Sequence, residues 1–306
     1  MAVELLLIIN PQAGLKKFNR YTLDVIEKFT NAGYVCTVCT TSKETGAVHC
    51  IEKFGAKADV IVCVGGDGTF SEVISGMRLA GIKRPVGYIP AGSTNDFGNS
   101  IGLPKNFLRA VDDIIEGTPQ NYDLGSFNGK GFSYIASFGI FSSTSYTTPR
   151  NLKNTIGHLA YLLSSVKELS NIRPIHVRVE TKEQIFEDDY IFGAISNSLS
   201  FAGVLSIDPN KVKMDDGAFE LMLIRMPKNI IDVSKIVTCL TNQVYDPNYI
   251  TFCSIDAAKI QIDEEIPWTL DGEYQPGSDS IDFHVLPSAV QIIMNRKNNQ
   301  KTLPAE

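Results

Sequence analysis

Residues 60–72, Val-Ile-Val-Cys-Val-Gly-Gly-Asp-Gly-Thr-Phe-Ser-Glu, limit what this chain can fold into more than any other stretch. Five apolar, mostly β-branched residues in a row predict a strand buried on both faces, as in a parallel sheet. Gly65, Gly66 and Gly68 then turn the chain, and Thr69 is expected to open a helix running through Glu72, Val73 and Met77. A plain strand–turn–helix connection needs one glycine. Three in four residues imply positive φ angles, or backbone that must approach a ligand with no Cβ in the way. A helix start at such a turn directs free N–H groups at one spot and favours an anion there. The acid inside the loop, Asp67, would repel a bare phosphate, and its presence makes sense if Mg²⁺ lies between the two.

The segments on either side repeat this pattern. Leu5–Ile9 reads as a buried strand leading into Asn10-Pro11-Gln12-Ala13-Gly14, then a helix with Phe18, Tyr21, Val25 and Phe29 on one face, closed by Gly33. Val35–Thr40 is a second strand followed by Thr41-Ser42 and a helix over 46–54. Val86–Ile89 runs into Pro90-Ala91-Gly92-Ser93-Thr94-Asn95-Asp96-Phe97, and a helix at Phe107–Glu116 precedes a short strand ending at Tyr122-Asp123-Leu124-Gly125. Strands alternating with helices predict a parallel, doubly wound sheet. Ligands of such sheets sit beyond the carboxyl ends of the strands, which would bring Asn10, Thr41, Asp67, Asp96 and Asp123 to one edge. Three acids among hydroxyl and amide side chains suit a metal–phosphate site.

After Gly125 the pattern changes to alternating segments separated by turn residues: 131–137, 175–180, 184–196, 218–225, 250–255, 258–262, 266–270 and 281–286. They predict an antiparallel second domain, interrupted by helices over Ile156–Leu169 and near Ile230–Leu240. A last strand, Ala289–Met294, is expected to pack back on the first domain. The division expected is 1–125 together with the tail from about 290 to 306 as a nucleotide-binding domain, and 126–289 as a substrate domain.

Composition excludes more than it assigns. A net charge of −6 argues against nucleic acid as a partner. No apolar run reaches membrane-spanning length, so a soluble, cytoplasmic protein is expected. The six cysteines are scattered. Cys36 and Cys39 lie three apart on one strand and face opposite sides, and no second pair completes a zinc set; ordinary buried thiols are expected. The absence of G-x-G-x-x-G after the first strand argues against a dinucleotide-dependent dehydrogenase. His49, His158, His176 and His284 form no cluster.

Taken together, the glycine loop, Pro90–Phe97 and Asp271-Gly272-Glu273 resemble the diacylglycerol kinase catalytic-domain family, in its soluble bacterial lipid-kinase branch. G-G-D-G-T alone is less specific, because NAD kinases and phosphofructokinases carry similar loops. The resemblance implies an α/β fold: an NAD-kinase-like doubly wound N-terminal domain plus a C-terminal antiparallel β-sandwich-like domain. It implies an ATP- and Mg²⁺-dependent kinase acting on a lipid hydroxyl, with diacylglycerol as the expected acceptor. Asn10, Pro11, Gln12, Ala13, Gly14 and Thr41 would line the nucleotide pocket. Gly65, Gly66, Asp67, Gly68 and Thr69 would cradle the phosphates with Gly92, Ser93, Thr94 and Asn95, Ser93 standing where the family more often has Thr. Asp67, Asp96 and Asp123 would hold the catalytic Mg²⁺, partly through water.

On the acceptor side, Asp-Gly at 271–272 is by itself a hairpin signal. The resemblance makes Asp271 and Glu273 the acid pair, either of which could take the hydroxyl proton. Asp-Gly at 216–217 also reads as a hairpin turn, where the family places a structural Mg²⁺; by position this means the Asp216 side chain with the Lys213 and Ala218 carbonyls. Lys153, Gly157 and Tyr161 match a family helix beside the lipid entrance, and an ordinary amphipathic helix explains Tyr161 about as well. No basic stripe or lipidation motif is visible, so membrane contact is expected to be weak and transient, and a homodimer stays open. The rival readings are a kinase of a soluble substrate such as NAD, and a nucleotide-binding regulator without turnover.

Overall fold

The computed structural model describes residues 2–42, 44–140, 173–201, 205–208, 212–263 and 265–295. The chain divides into two compact units, Met1–Tyr122 with Ser288–Glu306, and Asp123–Pro287. No helix among the described residues is long and apolar enough to cross a membrane.

The first unit is built on β1 (Val3–Ile9), β2 (Tyr34–Thr40), β3 (Val60–Gly65) and β4 (Val86–Pro90), joined by the last turns of a strand that returns from the far end of the chain. The order is β2-β1-β3-β4 and then the returning strand at Ile292, every pairing parallel. β3 and β4 are buried at every position, whereas β2, the edge strand, leaves Val35, Thr37, Val38 and Thr40 exposed. Alternation by two sends Leu5, Leu7, Ile9, Val60, Val62 and Val64 to one face, against Phe18, Val25 and Phe29 and against Ala110, Val111 and Ile114. Helices α1 (Thr22–Asn31), α2 (Ala47–Phe54), α3 (Asp67–Leu79), α4 (Asp96–Ser100) and α5 (Phe107–Glu116) make the crossovers. Gly76 lets α3 lie close to α2: a Cβ there would sit 3.1 Å from the Val48 Cα.

Three local expectations need correction in this unit. The amphipathic run after β1 is a 3₁₀ segment, Ala13–Tyr21, before α1 begins, because Gly14 and Lys16 both adopt left-handed φ angles (51° and 63°) that interrupt α-helical bonding. The helix of the glycine loop starts at Asp67, two residues before Thr69, with Gly66 as its N-cap. Cys39 and Cys50 are joined in a disulfide and Cys36 and Cys39 are only half-buried, against the expectation of ordinary buried thiols; the end of β2 and the middle of α2 bring Cys39 and Cys50 together across the intervening loop. Cys36, Cys63, Cys239 and Cys253 are free.

The second unit is antiparallel. Among the described residues its elements are β5 (Thr118–Phe127, entering from the first unit), β6 (Lys130–Phe132), β7 (Ile135–Gly139), β8 (Ile175–Glu180), β9 (Ile185–Ser196), the short pair β10 (Ser200–Phe201) and β11 (Leu205–Ser206), β12 (Phe219–Arg225), β13 (Ile250–Ile255), β14 (Ala257–Ile262), β15 (Trp268–Leu270), β16 (Glu273–Gln275) and β17 (Ser280–Met294), with a helix at Ile230–Asn242. β9 is the hub. Its first half pairs with β8 and its second half with β7 and β12. The core packs Phe127 and Phe138 against Trp268, and Phe132 against Phe219 and Phe283, in edge-on or tilted ring contacts. The strands expected separately at 281–286 and 289–294 are one continuous strand, β17: Ser288 takes a left-handed φ of 51° without breaking it, and Tyr122 donates a hydrogen bond to Met294 Sδ where the strand re-enters the first unit. The helix expected over Ile156–Leu169, with Lys153, Gly157 and Tyr161, lies outside the described residues.

Glu220 is an acid in an otherwise apolar buried strand. It is 2% exposed, its Oε2 has no hydrogen-bond partner, and burial, reinforced by the charge of Asp216, pushes its carboxyl up to about 8. The unfolded chain ionises this group near 4.5 while the fold keeps it protonated to about 8. Its contribution to stability is therefore complete below the lower value and is lost as pH rises through the upper one. Glu220→Gln, which cannot ionise, should match the wild type in urea unfolding at pH 5 and exceed it at pH 8.5 by on the order of 1–3 kcal/mol. Parallel pH profiles for the two proteins would contradict this.

Candidate active site

Because β1, β2, β3 and β4 are parallel and in register (Ile9 with Thr40 and Val64, Gly65 with Pro90), their carboxyl ends open on one edge. Asn10, Thr41, Gly66–Asp67 and Ala91–Asp96 all follow directly on that edge. Asn10 anchors the first loop. Its N–H donates to the Val64 carbonyl, its Nδ2 to Thr69 Oγ1 at 2.9 Å, and its Oδ1 accepts from the Gln12 N–H. Pro11 and Ala13 are half-buried and Gln12 is exposed. The Thr41 N–H donates to the Ile9 carbonyl, which holds the start of the next loop against the first.

The glycines are explained by contact. Gly65, Gly66 and Gly68 all have negative φ, correcting one half of the sequence-based expectation. A Cβ on Gly66 would sit 3.1 Å from the Gly92 Cα, and one on Gly92 would sit 2.5 Å from the Gly66 Cα, so the two loops touch backbone to backbone. A Cβ on Gly65 would strike Thr69 at 2.6 Å, and one on Gly14 would strike the Ala91 carbonyl oxygen at 2.1 Å. Three loops thus share one bed that admits no side chains at its crossing points. Asn95 closes the third loop on itself with a left-handed φ of 54°, its Oδ1 accepting from the Gly92 N–H and its Nδ2 donating to the Gly92 carbonyl. Ser93 and Thr94 are exposed.

Asp67 lies between two helix starts. It is the first residue of α3, whose N-cap glycine offers no side-chain oxygen, and its carboxylate accepts the N–H groups of Asp96 and Phe97 at 3.0 and 3.2 Å, at the start of α4. The first N–H groups of α3 have no side-chain cap and suit an anion. Asp96 is 6% exposed. Mg²⁺ accompanying a nucleotide needs only one or two carboxylates, the rest coming from phosphate and water, and Asp67 with Asp96 fits that requirement. Among the described residues no three His, Cys, Asp or Glu side chains gather closely enough to bind a metal directly. Asp123 belongs to the second unit, where its Oδ2 accepts from the Gly217 N–H at 2.7 Å. Asp216 folds over its own turn, accepting from the Ala218 N–H, and Lys213 is exposed.

Asp271 and Gly272 have φ angles of 51° and 82° and form the hairpin turn between β15 and β16. The two acids of this turn occupy opposite environments. Asp271 is 4% exposed, and its carboxylate accepts from the N–H groups of Ser133 at 2.6 Å, Tyr134 at 2.9 Å and Ile135 at 3.2 Å. Glu273, the first residue of β16, is exposed. Two participants escaped sequence reasoning. Glu72 accepts from the Ala47 N–H and ties α2 to the glycine-loop helix, and no motif marks it. Asn197 is fully buried beside Asp123; the polar run Ser196-Asn197-Ser198 directly after an apolar strand was the available signal.

Residues 4–127 match the diacylglycerol kinase catalytic domain, and residues 136–294 match the YegS C-terminal NAD kinase beta sandwich-like domain. The chain is 30% identical over 271 residues to a diacylglycerol kinase of Bacillus subtilis (strain 168), covering 88% of this chain and 89% of that one. It is 32% identical over 236 residues, 76% of each chain, to a diacylglycerol kinase of Staphylococcus saprophyticus. A crystal structure of a diacylglycerol kinase from Bacillus anthracis str. Sterne superposes with a TM-score of 0.78 over 97% of this chain and 99% of that one; at 22% identity this likeness shows the fold alone. The paired domains define the class as lipid kinases, phosphotransferases with an alcohol group as acceptor. The chain belongs to the diacylglycerol kinase catalytic-domain family, in its bacterial branch.

Proposed function

We propose that this kinase transfers the γ-phosphoryl group of Mg²⁺-bound ATP to the hydroxyl of diacylglycerol, forming phosphatidic acid. The observation that carries this reading is the Asp67 carboxylate held between the starts of α3 and α4, above a bed of crossing glycine loops. The bed fits a triphosphate, with the uncapped N–H groups of α3 toward it and Asn10, Thr41 and the 92–95 loop around it. Asp67 and Asp96, with Asp123, would hold Mg²⁺, which neutralises charge on the phosphates. In the transfer, the acceptor oxygen bonds to γ-phosphorus, the bond to ADP breaks, and the hydroxyl proton leaves to a base. Glu273 takes that role here. A base needs a lone pair within reach of the incoming proton; the buried Asp271 carboxylate already spends most of its acceptor capacity on three backbone N–H groups, whereas Glu273 is exposed. Asp271 instead fixes the turn that presents Glu273.

The 213–218 turn would take a structural Mg²⁺ through Asp216 and the Lys213 and Ala218 carbonyls, and the enzyme would work in the cytoplasm, touching the bilayer transiently. The match of residues 136–294 to an NAD kinase-like sandwich favours one second reading, phosphorylation of a soluble acceptor. Purified protein incubated with γ-labelled ATP and Mg²⁺ decides between them. Label should enter the organic phase with diacylglycerol in mixed micelles, and not NAD in the aqueous phase. Label confined to the aqueous product would overturn the lipid acceptor.

A further inference from the structure

The geometry points to Asn197 as the positioning residue that sets Asp123 for the metal, an inference that rests on the role given to Asp123 above. Asp123 opens the second unit and is held at three points. Its N–H donates to the Met214 carbonyl at 3.1 Å, its side chain accepts from Gly217 at 2.7 Å, and its own carbonyl accepts from Asn197 Nδ2 at 3.4 Å. The same Nδ2 donates to the Met214 carbonyl at 3.3 Å. One amide group therefore ties the Asp123 peptide to the 214–217 turn that grips its carboxylate.

The other end of Asn197 leads to the acceptor side. Its backbone N–H donates to the Tyr134 carbonyl at 2.9 Å, and Ser196 Oγ donates to the same carbonyl at 2.8 Å. The Tyr134 N–H in turn donates to Asp271. Asn197 thus stands between the peptide of Asp123 and the segment that anchors the Asp271–Glu273 turn, all within the second unit.

The amide is present for its donors. Asn197 is 0% exposed and its Oδ1 has no hydrogen-bond partner, which is costly for a buried acceptor. With two carbonyls facing the Nδ2 end, no other orientation of the amide satisfies them. An aliphatic residue would carry no orphan oxygen but would release both carbonyls.

The test compares Asn197→Ala and Asn197→Asp with Asp123→Ala. The aspartate keeps the size of the side chain and cannot donate while ionised. Kinetics would be run over ATP and Mg²⁺ concentrations, Mn²⁺ binding to the ATP-loaded protein read by electron paramagnetic resonance, and folding checked by thermal unfolding. Outer-sphere partners of metal ligands are typically worth 10–100-fold in metal affinity or activity. In Asn197→Ala, kcat should fall by about that factor, with KM for ATP within about twofold and Mn²⁺ binding weakened as in Asp123→Ala. Adding Asn197→Ala to Asp123→Ala should cost little more, since coupled groups are not additive. If Asn197→Ala lowers the melting temperature but keeps wild-type kcat and Mn²⁺ binding while Asp123→Ala does not, the role of Asn197 is overturned alone. Wild-type Mn²⁺ binding and turnover in Asp123→Ala would overturn the metal role of that acid, and the inference with it. Should Asn197→Asp fail to fold, Asn197→Ala and the double variant still decide.

Discussion

Asp67→Asn should lose phosphoryl transfer by at least about 10²–10³-fold, the scale for removing one preorganised electrostatic group, with little loss of folded protein. The carboxylate meets the N–H groups of both Asp96 and Phe97. Asparagine keeps one carbonyl oxygen for one of these and turns an NH₂ group toward the other, and the negative charge is gone. The stability cost is bounded by a hydrogen bond to a charged group, about 1.5–3 kcal/mol. The half-exposed setting of Asp67 keeps it toward the low end. Labelled-ATP transfer and urea unfolding on the same preparation separate the two effects. Near wild-type transfer by a folded Asp67→Asn protein would remove this acid from the site.

The second large effect separates the two acids of one turn. Glu273→Gln should cut kcat by about 10²–10⁴-fold, the usual worth of a general base, and leave the melting temperature unchanged, because the side chain is exposed. Asp271→Ala should behave differently. It strips the acceptor from the Ser133, Tyr134 and Ile135 N–H groups in a buried setting. Each orphaned group costs about 1–3 kcal/mol, so a loss on the order of 3 kcal/mol or more is expected in denaturant unfolding, with activity falling as the fold fails. A stable Asp271→Ala protein devoid of transfer, beside an active Glu273→Gln, would exchange the roles.

Much of the first unit was legible because its signals are local. Runs such as Leu5–Ile9 and Val60–Val64 are strands wherever they occur in a parallel sheet, and a parallel sheet then obliges Asn10, Thr41, Asp67 and Asp96 to follow on one edge. What the sequence withheld depends on partners remote along the chain. Gly66 and Gly92 are glycines because they face each other, which neither loop reveals alone. Cys39 and Cys50 meet only once β2 and α2 have packed. The three N–H groups that hold the Asp271 carboxylate lie well over a hundred residues away, so its own turn gives no sign of them. The 3₁₀ turns at 13–21 were hidden by a helical apolar period, since that period reports the buried face and says little about the angles at Lys16.

The return of β17 has a consequence for biosynthesis. While the ribosome is still making the second unit, Val86–Pro90 has no neighbour on one side, because the strand that will pair there ends at Met294. An apolar, fully buried strand is thus an open edge during most of translation, the condition under which nascent chains stick to one another. Closing the sheet joins residues some two hundred positions apart, a slow step by loop entropy. The amino-terminal half cannot finish folding as it emerges; its assembly waits on nearly the last residues described.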